Sequence, residues 1–130
     1  ANLSKYSDAV VQEQIARNVL AIDSAVAGYT VRTLALPLGE WPKNRPLAWA
    51  GVWRDPKTGK EVRYAFDGVL EVSGAPVPSP ATAQFNPHSL QRVQVVGNEL
   101  ERMLDQLDRS GARFVSAGTG AKIRPQSRNR

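Results

Sequence analysis

The sequence predicts an α+β fold. An N-terminal helix, a three- to four-stranded antiparallel sheet and a C-terminal helix on the same sheet face form an open-faced sandwich, which continues into a basic C-terminal arm. Three observations carry this reading. Apolar residues recur at helical spacing near both ends of residues 1–111. Between them lie β-branched and aromatic runs cut by Pro/Gly turns. The charge is split along the chain. Residues 1–111 hold all 12 Asp+Glu and an equal number of Lys+Arg, so they are neutral. Arg113, Lys122, Arg124, Arg128 and Arg130 supply the whole net +5. This division sets a single globular domain at 1–111 and an arm at 112–130.

The first helix is expected over about residues 8–27. Val11, Ile15, Val19, Ile22 and Val26 step by three or four and draw one apolar stripe. Ser7 suits the N-cap, Asp8 suits the positive end of the helix dipole, and Gly28 suits a left-handed stop. "YTVRTLAL" (29–36) reads as strand, and "PLGEWPKNRP" (37–46) as loop. "LAWAGVWRD" (47–55) resumes strand, with Leu47, Trp49, Gly51 and Trp53 on one face. "DPKTGK" (55–60) is a tight turn, because Pro56 presets its backbone and Gly59 accepts a positive φ. "EVRYAFDGVLEV" (61–72) places Val62, Tyr64 and Phe66 on one face. Its Asp67-Gly68 pair marks either a two-residue hairpin or a bulge in one long strand.

Four prolines in residues 73–87 make that stretch an extended connection. The second helix is expected from Asn86 as N-cap and Pro87 at its first position. Leu90, Val93, Val96, Leu100, Leu104 and Leu107 would form its stripe, and Gly111 would end it. "ARFVSA" (112–117) is compatible with a short last strand.

Composition excludes several chemistries. No cysteine means no disulfide, no thiol catalysis and no Cys-based zinc site. The one histidine, His88, lies in a capping segment, and no G-x-S-x-G pattern accompanies it. No carboxylate cluster has metal-ligand or glycosidase spacing, and the acids from Glu99 to Asp108 alternate with arginines along a helix. "GTGAK" (118–122) lacks the spacing, the Ser/Thr and the following helix of a phosphate loop. No cofactor, metal, small-molecule substrate or membrane span is indicated. "ANLSKYSDAV" has no charged-then-apolar leader pattern, which points to a cytoplasmic or particle-bound protein.

What remains is binding. All three tryptophans lie between Trp41 and Trp53, among Lys43, Arg45, Arg54, Lys57, Lys60 and Arg63. Cations meet phosphates and flat rings stack on bases, so this interleaving fits a nucleic-acid surface. Trp41, in its Pro-flanked loop, is expected to be exposed. Lys122, Arg124, Arg128 and Arg130 would add nonspecific affinity. The sequence therefore reads as a non-catalytic nucleic-acid-associated protein. The alternative is a structural subunit of an oligomeric particle, such as a virion, a tail or a secretion machine. There the Pro-rich loop and the tail would contact neighbouring subunits.

Overall fold

The structure is a computed structural model in which residues 2–110 are described. Its contacts fall into two compact units, Ala1–Val95 and a second beginning at Val96. The first unit carries α1 (Asp8–Ala25) and five strands: β1 (Thr33–Ala35), β2 (Ala50–Arg54), β3 (Glu61–Ala65), β4 (Gly68–Val72) and β5 (Leu90–Arg92). The second carries α2 (Glu99–Ser110). The α+β character is as expected. The single antiparallel sheet is not. The strands form a parallel three-stranded sheet ordered β1-β4-β5 and a separate antiparallel hairpin, β2-β3.

α1 forms where the periodicity places it, and Val11, Ile15 and Ala16 are buried. It stops at Ala25, so Val26 is left 53% exposed. The stripe therefore covers less than its full length. Its buried face meets Val62, Tyr64 and Phe66, the alternating inward set of β3 and the residue after it. The hairpin turn is built as its residues dictate. Asp55 accepts from the Lys57 N–H at 2.9 Å and from the Thr58 hydroxyl at 2.8 Å, and Gly59 sits at φ 71°. These hydrogen bonds hold the Asp55 carboxyl below its ordinary value. Gly51 lies opposite Tyr64, whose ring crosses over it and whose hydroxyl donates to the Leu47 carbonyl at 2.7 Å. Burial pushes the Tyr64 phenol up to about 12.

Asp67-Gly68 is neither a hairpin nor a bulge. It is the corner at which the chain leaves the hairpin and enters the parallel sheet. The Asp67 N–H donates to the Arg32 carbonyl at 2.8 Å, and its carboxylate pairs with the Arg32 guanidinium. A second core forms on the parallel sheet from Leu3, Leu36, Ala48 and Val69, with Trp41 and Trp49 packed on it.

The expected helix from residue 86 is also corrected. Asn86 opens a turn instead, in which its side chain accepts from the His88 N–H at 3.0 Å and its carbonyl from the Ser89 N–H at 3.0 Å. Leu90–Arg92 then pairs in parallel with Leu70–Val72. The helix starts only at Glu99, after Gly97 at φ 60°. The strand expected at 112–117, the stop at Gly111 and the arm to Arg130 lie outside the described residues.

One strained turn joins β1 to the loop that follows. Leu38 adopts φ 58° although it is not glycine, and its side chain is 76% exposed. A left-handed L-residue costs about 1–2 kcal/mol. Leu38→Gly is therefore expected to raise stability by about 1 kcal/mol in denaturant titration. An unchanged midpoint would mean that Leu38 bears no strain.

Candidate functional site

The expected tryptophan and cation set divides into two groups. The first centres on Glu71, a β4 residue with no distinguishing sequence signal. Trp41 is not the exposed ring expected of it. It is half-buried, and its Nε1 donates to Glu71 Oε2 at 2.5 Å. The Arg45 guanidinium stacks 4.1 Å from the Trp41 ring centroid and lies 3.9 Å from the same carboxylate. The Ser89 hydroxyl donates to Glu71 Oε1. Burial pushes the Glu71 carboxyl up. The Ser89 and Trp41 hydrogen bonds and the Arg45 charge outweigh it and hold the carboxyl below its ordinary value.

Close by in sequence, His88 stacks flat on Trp49, with centroids 4.8 Å apart and planes at 6°. His88 Nε2 lies 3.2 Å from the Phe66 carbonyl. A carbonyl only accepts, so Nε2 carries the proton. Arg92 donates to the Leu36 carbonyl at 3.2 Å, while its buried Nε has no partner among the described residues. These groups tie the loop at 36–49 to β4 and to the segment at 88–92. Sequence spacing hides the arrangement, because the contacts that join its segments span from 18 to 56 positions.

The second group is the hairpin. Arg54 and Arg63 both reach Glu61, at 3.4 and 2.7 Å. Lys57 and Lys60 stand exposed at the turn and make no ion pair among the described residues, and neither does Lys43 in the preceding loop. Trp53 points inward, packs on the α1 core and lies under the Arg17 guanidinium at 5.4 Å. All three tryptophan rings therefore already have intramolecular partners. Among the described residues the cationic hairpin turn is left without an aromatic of its own. Lys122, Arg124, Arg128 and Arg130 lie outside the described residues.

α2 presents a different kind of surface. Its polar side carries paired charges, with Arg102 on Glu99 and Arg109 on Asp105. Met103 is buried, yet Leu100, Leu104 and Leu107 on the same stripe are 49%, 53% and 39% exposed. Val95 and Val96, just before the helix, are exposed as well. Among the described residues, Leu100, Leu104 and Leu107 are left as an uncovered apolar row on a short helix.

Among the described residues no group of His, Asp and Glu could hold a metal ion. No described helix is long and apolar enough to cross a membrane. Comparison with protein-family models, curated proteins and solved structures finds no match.

Proposed function

We propose that this protein is a non-catalytic assembly subunit that associates with further copies of itself through α2. The exposed row Leu100, Leu104 and Leu107 supports this reading. A helix of 12 residues is marginal by itself in water, because nucleation is costly and few backbone bonds repay it. Such a helix gains stability by burying its apolar stripe. Among the described residues, three half-exposed leucines leave part of that gain unrealised. Docking the row against its equivalent in a second copy would realise it, in the geometry of paired amphipathic helices. The test is solution mass at low and high salt. The expected species is larger than 14.2 kDa and persists in high salt, since the contact is apolar. A monomer at every concentration would sink the reading.

A second reading rests on Lys57 and Lys60, which make no ion pair among the described residues, and on the five cations of residues 112–130. They would hold nucleic acid by its phosphates, without base stacking by the tryptophans. Binding of this kind weakens steeply with salt, which separates it from assembly in the same experiment.

A further inference from the structure

Among the described residues the hairpin has an unpaired edge, and its chemistry points to an occupant. The Phe66 N–H donates to the Trp49 carbonyl and the Asp55 N–H to the Lys60 carbonyl. With the register Gly51 to Tyr64, these bonds fix the phase of the ladder. Val62 and Tyr64 turn their backbone groups toward β2. Glu61, Arg63 and Ala65 turn theirs outward, and those groups make no hydrogen bond among the described residues. Among the described residues β3 pairs with β2 alone. Along its outer edge runs a groove of about 330 Å³, lined by β3 itself, by Val19, Leu20 and Asp23 of α1 and by the segment 29–31. A strand edge with unpaired backbone groups is a template for adding a strand.

We infer that this edge pairs with β3 of a second copy, antiparallel, with Glu61 opposite Arg63 of the other copy and Arg63 opposite its Glu61. Two independent requirements select this register. The ladder demands that directly opposed residues both face outward, which limits the pairing to odd-numbered residues of this strand. Centring the two-fold axis on Arg63 satisfies that demand but sets two arginines against each other. Centring it on Tyr64 sets Arg63 against Ala65 and gives neither Glu61 nor Arg63 an opposite charge across the axis. Centring it on Val62 alone places each Glu61 carboxylate opposite an Arg63 guanidinium. An opposite-charge pair stabilises a sheet and a like-charge pair destabilises it. The axis stands perpendicular to the sheet, so α1 of both copies lies on one side and the charged residues on the other. The groove's Leu20 and Tyr29, the latter 52% exposed, would then be covered from the second copy.

This inference rests on the assembly reading and adds a second contact to it, so its test is run with the α2 contact removed. The full chain carrying Leu104→Glu is prepared with either Glu61→Arg or Arg63→Glu, and circular dichroism checks that each variant folds. Either charge change sets like charges across the axis, so each protein alone is expected at 14.2 kDa. An equimolar mixture restores both opposite-charge pairs. Its expected mass is about double, because only the mixed dimer satisfies both charge pairs. Rearrangement of ion pairs within one copy cannot produce this result. A mixture that stays monomeric overturns the edge pairing and leaves the α2 reading intact. So does a Glu61→Arg chain that dimerises as readily as its parent. If the wild-type chain is itself monomeric, the assembly reading fails with it.

Discussion

Gly39→Ala is expected to destabilise the protein by about 3 kcal/mol, the sum of a left-handed backbone and a steric clash. Gly39 sits at φ 71°, directly after the strained Leu38. A Cβ built there would lie 2.6 Å from Val72 Cβ and 2.8 Å from the Val72 backbone nitrogen. The second contact decides the size of the effect. A flexible side-chain tip could move aside, but the Val72 backbone is held by the pairing of β4 with β5. The turn cannot retreat either, because the Leu36 N–H donates to the Leu70 carbonyl at 2.9 Å. A loss of this size lowers the melting temperature by roughly 10–15 °C for a domain of this length. Thermal melts of the two proteins measure it. A drop of only a degree or two would mean that the loop packs on β4 less closely than described.

Glu71→Ala should cost a similar amount, about 3 kcal/mol, through different physics. The carboxylate accepts from Trp41 and Ser89 and faces Arg45. Removing it leaves two half-buried donors without an acceptor, which costs more than the bonds themselves contribute. The wild-type protein should also lose stability in acid, with a sign that follows from the lowered carboxyl. The unfolded chain holds the Glu71 proton at the ordinary value of 4.5, and the folded chain holds it more weakly. The stabilisation is therefore complete above 4.5 and is lost as pH falls from there through the folded value. In Glu71→Ala that portion of the acid limb should vanish. Melting temperature against pH for both proteins tests this. Parallel curves would mean that Glu71 titrates normally.

What could be read from the sequence depended on how local the cause was. α1 was legible because its stripe is built within one segment, and the turn at 55–60 because Asp55, Pro56 and Gly59 act on their own neighbours. The inward set Val62, Tyr64 and Phe66 was legible by alternation. Sheet membership was not. β1, β4 and β5 pair in parallel across long connections, and nothing within each strand specifies its neighbour. Leu90 matched a helical stripe by spacing alone. The alternation of Val93 and Val95 and the Gly97-Asn98 step before Glu99 were the signals against it. Glu71 had no signal at all, because its partners arrive from 18 and 30 residues away. That distance also explains why Trp41 looked free in the sequence and is anchored in the fold.

The central claim is that the leucine row of α2 joins copies of this chain. Light scattering on the full chain, with and without Leu100→Glu and Leu104→Glu, tests it most directly at two salt concentrations. The wild-type mass should exceed that of the double variant at both. Equal masses for the two proteins would contradict the claim.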